Sequence, residues 1–300
     1  MSLLVGLNPA SRSASVLHLA AMLARSANTD LIVTTVIPET WPRAATARDD
    51  AEWQAYTHDA ANTVLDHAAA VLGGSVPAQF VLHEASSARR GLLELAERRD
   101  VGMIVIGSSS AAPLGRIALG SESDALLHAA AVPVAIAPRG FRTKGDVRVG
   151  RVTAAYRGTD SSADLVFGAA TVAGSVGAAL RIASFAIVPN VSGTAGAGFD
   201  AERSIAEQWA DDIQAHAAQL LSEVSALPGA PELAGTVIGL GDTWESAVDD
   251  VEWDADEVLV VGSSSLGPIA RVFLGSNATK VVRHSPVPVV VVPRRALDPA

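Results

Sequence analysis

The chain has no cysteine among its 300 residues, and it is poor in aromatic residues and in runs of basic charge. The missing cysteine excludes disulfide bonds, thiolate catalysis and zinc sites with cysteine ligands. A formal net charge of −10, with no block of lysine or arginine, argues against a basic face for nucleic acid or anionic membranes. No apolar run is long enough to cross a bilayer, and the N-terminal MSLLVGLNPA lacks signal-peptide architecture. We therefore expect a cytoplasmic protein without a nucleic-acid or membrane partner.

The apolar content that is present is sufficient for a folded core. Apolar residues make up 49% of the chain and charged residues 18%, which is typical of a globular protein rather than a disordered one. At about 150 residues per domain, this length corresponds to about two domains.

One stretch of the sequence occurs twice at a fixed offset. VIGSSSAAPLGRIALGSES lies at 105–123 and VVGSSSLGPIARVFLGSNA at 260–278, and each copy ends in Leu-Gly-Ser before a polar helix start. Later prolines keep the same offset, Pro133 with Pro288 and Pro138 with Pro293. So many identities in one register indicate an internal duplication, and its long period indicates two domains rather than a solenoid of short repeats.

Each half alternates short apolar, β-branched segments with segments of helical spacing. The predicted strands are LLVGLN, LIVTTVIP, AQFVLH, GMIVIG and PVAIAP, then VRVGRVTAAY, LRIASFAIVP, LAGTVIG, EVLVVG and PVPVVVVP. Such runs fit strands buried on both faces of a parallel sheet. Five strands alternating with four helices predict a doubly wound parallel α/β domain in each half. We expect these domains at 1–140 and 146–300, joined by a linker at 139–146.

The repeated stretch begins at the carboxyl end of a predicted strand, where doubly wound sheets bind ligands. Glycine lets the backbone approach a ligand, a helix start offers N–H groups to an anion, and serine hydroxyls add donors. The pattern indicates an anion cradle for phosphate groups in each half. The alternative is that both copies are structural turns, with Ser121 and Ser276 as helix caps.

Sharper catalytic motifs are missing from the sequence. GSSSLG is not followed by the Gly-Lys-Ser/Thr of a P-loop, no GxGxxG follows a first strand, and GSSSA lacks the last glycine of a nucleophile elbow. The seven histidines share no pattern between the halves, and His58 and His67 are too far apart for a metal pair on one helix. The acidic run at 249–257 matches no calcium loop and predicts a solvated face. We therefore expect neither catalytic nor metal-binding residues.

Two segments carry the resemblance to a known family: GRIALGSESDALLHAAAVPVAIAP and ARVFLGSNATKVVRHSPVPVVVVP. Each joins Leu-Gly-Ser to a helix and a Pro-Val-rich last strand, and in this the whole chain resembles a tandem of two universal stress protein domains. The resemblance implies an adenine nucleotide alpha hydrolase-like fold and a non-catalytic role in stress response or signalling. It also implies pairing of the two domains through their last strands, leaves a homodimer open, and leaves the protein partner unidentified.

Members of that family that bind ATP use Gly, two residues, Gly, nine residues, and then Gly with Ser or Thr. The corresponding residues are Gly107, Ser110, Gly120 and Ser121 in the first half, and Gly262, Ser265, Gly275 and Ser276 in the second. Serine therefore replaces the second glycine in both copies. Its added Cβ costs about 1 kcal/mol or more wherever that position requires a positive φ.

The adenosine contacts implied by the resemblance are also altered. Asn8 in the first half and Arg157 in the second stand where such members usually have an Asp at the end of the first strand. Val36 and Ala186 occupy the places that contact the base from the second strand. The resemblance thus implies ATP or another adenine nucleotide, with Mg²⁺ when ATP binds. Because the first half keeps the better set of contacts, we expect the nucleotide there, with the second half as the weaker site.

Two other interpretations remain open. The substituted glycine and the missing Asp in both halves are compatible with a structural or protein-interaction member that has lost its ligand. A nucleotide hydrolase would need a base or a metal-bound carboxylate near the phosphate loop, and Asp124 is the nearest candidate.

Overall fold

A computed structural model of the chain describes residues 1–9, 13–39, 47–188, 198–262 and 275–293, the side chains of 47–51 and 198–207 excepted. The chain divides into two compact units, one from Met1 to Arg148 and one that starts at Val149. Within the part that the structure describes, no helix combines the length and apolar character needed to span a membrane.

The first unit alternates strands and helices along its described residues. The strands are β1 (Leu3–Leu7), β2 (Leu31–Pro38), β3 (Ala78–Ala85), β4 (Met103–Gly107) and β5 (Val134–Ala137). The helices are α1 (Ser15–Ala27), α2 (Ala47–Leu72), α3 (Ala88–Arg98) and α4 (Ser121–Ala129). All strand pairs are parallel, in the order β3-β2-β1-β4-β5.

The second unit repeats this arrangement. Its strands are β6 (Arg151–Ala155), β7 (Ala179–Ile187), β8 (Leu233–Gly241), β9 (Glu257–Gly262) and β10 (Val289–Val292). Its helices are α5 (Asp160–Val176), α6 (Gly198–Ser225), α7 (Trp244–Asp249) and α8 (Ser276–His284). The parallel order is β8-β7-β6-β9-β10, which confirms the predicted doubly wound α/β architecture of each half.

Central strands are apolar along their whole length because helices cover both faces of each sheet. Leu4 and Val5 in β1 and Ile104 and Val105 in β4 are fully buried. Consecutive buried residues are typical of central parallel strands, whereas alternation is typical of a sheet with one solvated face. Continuous apolar runs in the sequence were therefore sufficient to locate these strands.

The acidic run predicted to be solvated contains one buried carboxylate. Glu257, the first residue of β9, is fully buried, and its two oxygens accept from Nη2 of Arg181 and Nη2 of Arg151, each at 2.6 Å. The Thr153 hydroxyl and the Asp254 N–H also donate to this carboxylate. Burial lowers the pKa of Arg181, while the hydrogen bond to Glu257 raises the pKa of Arg151. For Glu257 the prediction was wrong, because strand pairing surrounds it with two guanidinium groups.

Candidate functional site

The predicted glycines and serines of the first unit lie at the carboxyl edge of its sheet. Gly107 ends β4, Gly120 is the N-cap of α4, and Ser121 is the first residue of that helix. Ser110 lies exposed in the turn that follows β4. No side chain caps α4, so Ser121 does not have the capping role that the structural interpretation gave it.

Backbone donors of the first loop are used within the first unit itself. The N–H of Ser108 donates to the Ala137 carbonyl at 3.0 Å, and that of Ser109 donates to the Ala118 carbonyl at 2.9 Å. The Ala118 N–H donates to the Ser108 hydroxyl at 2.9 Å, and the Gly115 N–H donates to the Arg139 carbonyl at 2.8 Å. These bonds hold the shape of the loop from within the first unit.

The helix starts of the two units differ in charge. The first turn of α4 carries Glu122 and Asp124, and Glu122 Oε2 accepts from the Arg89 N–H at the start of α3, at 3.3 Å. The first turn of α8 has no acidic residue, and Asn277 stands at the place of Glu122. Since a helix N-terminus attracts anions and nearby carboxylates repel them, α8 is the better start for an anionic ligand.

A cavity of about 470 Å³ lies at the carboxyl edge of the second sheet. Three of the predicted residues line it, Arg157, Gly262 and Gly275. Its other lining residues are Ala155, Tyr156, Thr159, Ser161, Ser162, Leu165, Phe185, Trp209, Trp244, Val261, Asn277, Ala278 and Val281. Ser276 begins α8 beside the cavity, while Ser265 falls outside the described residues.

The strand register within each unit shows which residues of the two units are counterparts. Val5 in β1 and Ala154 in β6 face the first residues of the two repeated stretches. Asn8 and Arg157 each lie three residues further along the chain, so they are equivalent, as the alignment of the halves had assumed. Both are exposed.

The same register corrects the second pair by one residue. In the neighbouring strands, the partners of Val5 and Ala154 are Val33 and Ile182. Three residues further on are Val36 and Phe185, so Phe185 rather than Ala186 is the counterpart of Val36. Successive side chains of a strand point to opposite faces, and it is Phe185 that lines the cavity.

Val36 in the first unit is committed to packing against α3. A Cβ on Gly91 of that helix would lie 2.7 Å from Val36 Cγ1, so the helix backbone and Val36 are in direct contact because the glycine has no side chain. At the equivalent place in the second unit, the aromatic ring of Phe185 lines the cavity. The two units therefore use this position differently.

Four aromatic side chains line the cavity, and sequence reasoning had singled out none of them: Tyr156, Phe185, Trp209 and Trp244. They come from β6's end, β7, α6 and α7. At three of these places the first unit has smaller or aliphatic residues, namely Leu7, Val36 and Ala88. Aromatic residues are few in this chain, so their presence in the second half, at places where the first half has none, was the sequence signal that could have located the cavity.

The cavity is polar at one end. Arg157 is the one charged side chain among its described lining residues, and no described carboxylate forms an ion pair with it. Burial raises the pKa of the Tyr156 phenol, and the negative charge of Asp160 acts in the same direction. Tyr156 therefore stays a neutral hydroxyl near physiological pH and adds no negative charge beside Arg157.

The carboxylates and histidines of the described residues were compared with what a metal site or a catalytic base requires. Within the described ranges, no group of three His, Asp or Glu side chains is arranged to hold a metal ion. Asp124 lies on α4 of the first unit, with its Oδ2 3.5 Å from Nε2 of His128.

Comparison with known proteins decides the family. The family model described as the universal stress protein family matches residues 1–138 and, a second time, residues 149–293. The chain belongs to the universal stress protein family. A universal stress protein of Mycobacterium tuberculosis is 34% identical to it over 298 residues, which are 98% of this chain and 100% of that relative.

Solved universal stress proteins share the fold. A crystal structure of a universal stress protein from Archaeoglobus fulgidus superposes with a TM-score of 0.63 at 19% identity, covering 98% of each chain. A structure of the universal stress protein from Archaeoglobus fulgidus in complex with dAMP covers 46% of this chain and 97% of its own, with a TM-score of 0.36 at 21% identity. The two matches of the family model and the structure that superposes over 98% of the chain confirm the family and fold that the repeated segments suggest.

Proposed function

We propose that this universal stress protein binds an adenine nucleotide in the cavity of its second unit and acts through that binding rather than through catalysis. The observation that carries the proposal is the cavity itself, which brings together Arg157, Gly262, Gly275 and an aromatic wall. Its volume of about 470 Å³ falls in the range of small-molecule sites. Nucleotide-dependent conformation would then be the signal that a protein partner senses.

Each part of a nucleotide has a matching surface in this cavity. The phosphate fits the start of α8, where the first turn has no acidic residue, with Arg157 as its cation. The base fits against the aromatic side chains, which offer flat apolar faces. Because Gly262 has no Cβ, the ligand can approach the end of β9 closely.

The first unit remains the alternative location, since Gly107, Gly120 and Ser121 share one edge of its sheet. The charge at the helix starts favours the second unit, because Glu122 and Asp124 place negative charge where a phosphate would bind in the first unit.

Magnesium does not fit the described residues of the cavity as a protein-bound ion. Mg²⁺ prefers carboxylate and other oxygen ligands, and the part of the lining that the structure describes contains no carboxylate. The proposal therefore includes no magnesium ligand from the protein.

Calorimetric titration of AMP and ATP into nucleotide-stripped protein tests the proposal, and a matched glycine pair locates the site. A Cβ on Gly262 would lie 3.5 Å from Leu165, and one on Gly107 would lie 3.7 Å from Val16, so the fold tolerates alanine at both positions. We expect about one site per chain, weakened at least about tenfold by Gly262→Ala and unchanged by Gly107→Ala. The reverse pattern would place the site in the first unit.

Absence of any heat or thermal shift at millimolar nucleotide would refute nucleotide binding, and the structural or interaction member would then be the better interpretation. Turnover is tested separately by phosphate release from ATP. Release above that of a Gly120→Val variant would support a hydrolase in the first unit, and a Cβ at Gly120 meets no atom within 4 Å.

A further inference from the structure

We infer that the cavity of the second unit selects nucleoside monophosphates as a class, holding the ring by stacking without distinguishing the base and disfavouring triphosphates. This inference rests on the proposed function, because it describes how the same cavity chooses among nucleotides.

Two rings of the aromatic wall, those of Phe185 and Trp244, have further contacts within the second unit. Phe185 stacks on Trp253, with ring centroids 6.4 Å apart, and the Lys280 ammonium lies 5.5 Å from the centroid of Trp244. Supported rings lose little further freedom when a ligand stacks on them. Stacking on aromatic side chains accepts any base, since every base has a π-face.

The hydroxyl groups of Ser162 and Thr159 in the lining are engaged with their neighbours. The Ser162 hydroxyl donates to the Thr159 carbonyl at 2.7 Å and accepts from the N–H groups of Thr159 and Arg157. The Thr159 hydroxyl lies within hydrogen-bond distance of the hydroxyls of Ser161 and Ser162. Because base discrimination requires polar groups that only the correct base satisfies, these engaged hydroxyls provide little of it.

Charge in the cavity suits one phosphate group better than three. Arg157 is the single cation among the described lining residues, and the start of α8 adds only a partial positive charge. A triphosphate brings more negative charge than Arg157 and the start of α8 compensate, and among the described lining residues no carboxylate is present to hold a metal ion that would offset it.

Because the two halves are duplicates, the aromatic side chains of the second unit can be replaced by the residues found at the equivalent places of the first. Phe185→Val and Trp244→Ala introduce the residues that the first unit has at Val36 and Ala88. Phe185→Leu keeps most of the side-chain volume while removing the ring. Tyr56→Ala serves as the matched aromatic control, because Tyr56 is 74% exposed on α2 of the first unit.

The test is calorimetric titration of AMP, GMP and ATP into the full chain in magnesium-free buffer, with tryptophan fluorescence as a second readout. We expect the Kd values of AMP and GMP to agree within about fivefold and that of ATP to be weaker than both. Phe185→Leu and Trp244→Ala should weaken AMP and GMP alike, and Tyr56→Ala should weaken neither.

Each contrary result has a distinct meaning. A Kd for GMP that differs from that of AMP by more than about fivefold overturns base tolerance, and ATP binding as tight as AMP overturns the preference for monophosphates. Both outcomes leave adenine-nucleotide binding intact. Failure of AMP and ATP to bind at all overturns the proposed function itself.

Discussion

The ring of Phe185 stacks on that of Trp253, with 6.4 Å between the centroids and 18° between the ring planes. The guanidinium carbon of Arg181 lies 5.1 Å from the centroid of the same indole, and Arg181 also pairs with the buried Glu257. One tryptophan therefore joins the wall of the cavity to the ionic cluster at the start of the strands.

Removing this tryptophan should affect stability and binding together. Trp253→Ala deletes a stacked ring and a cation–π contact, and we expect it to lower the free energy of unfolding by about 2–3 kcal/mol. The Kd for AMP should rise because Phe185 loses its support. Urea unfolding and calorimetry measure the two effects, and Trp253→Phe, which keeps a ring, should retain most of both. Loss of stability with unchanged affinity would show that Trp253 does not position the wall.

Neutralising the buried Glu257 while keeping its arginine partners should lower the free energy of unfolding strongly. Glu257→Gln leaves Arg181 and Arg151 with one negative partner fewer, and we expect a loss of about 3–5 kcal/mol in the free energy of unfolding. The double variant Arg181→Met with Glu257→Leu should lose less, because Arg151 keeps Asp254, whose Oδ2 lies 2.7 Å from its Nη2. Urea unfolding followed by tryptophan fluorescence gives both values. A double variant less stable than Glu257→Gln would contradict this account.

Protonation of His18 should destabilise the first unit. Burial lowers the pKa of His18 from 6.5, and the charges of Arg142 and Arg25 act in the same direction. The unfolded chain therefore binds this proton more readily than the folded one. The stability contributed by the neutral imidazole is complete above about pH 6.5 and is lost as the pH falls through that value toward the lowered pKa.

The measurement is the free energy of unfolding from about pH 7.5 to about pH 5.5. It should fall more steeply for the natural sequence than for His18→Gln, which has no group to titrate there. Equal slopes for the two proteins would rule out His18 as a source of the pH dependence.

Exchanging Asn277 at the start of α8 with Glu122 at the start of α4 should weaken anion binding in the second unit and strengthen it in the first. Asn277→Glu puts into α8 the carboxylate that α4 has at Glu122, and we expect it to weaken AMP binding about tenfold. Glu122→Asn is the reciprocal variant, and it should give the first unit a weak thermal stabilisation by inorganic phosphate. Glu97→Gln removes an exposed acid elsewhere in the first unit and controls for net charge. Unchanged AMP affinity in Asn277→Glu would argue against a phosphate at α8.

The sequence pattern within a short segment was sufficient to predict individual strands and helix starts of this structure, but it did not predict contacts between distant segments. EVLVVG was predicted as a strand and β9 covers the same six residues, because a short apolar run needs no distant partner to be recognised. Similarly, Ser87 stands directly before α3 as serine often does at a helix start, and its hydroxyl accepts from the Arg90 N–H at 3.2 Å. Signals of this kind lie within a few residues of the element they define.

The features that were missed depend on residues far apart in the chain. The second strands of the halves share little sequence, so the pairing of Val36 with Ala186 could be corrected to Phe185 only by inter-strand register. Glu257 is buried because Arg181, on another strand, neutralises it. Likewise, the aromatic wall comes from four separate elements.

The contact between Glu122 and the Arg89 N–H has a consequence for the first unit. The Glu122 carboxylate, being tethered to the chain, is present at the start of α3 at an effective concentration of about millimolar or higher, whatever the solution contains. A dissolved anion must exceed that concentration to displace it. The first unit thus carries its own counter-ion at the start of α3, whereas the second unit has the uncharged Asn277 at the place of Glu122.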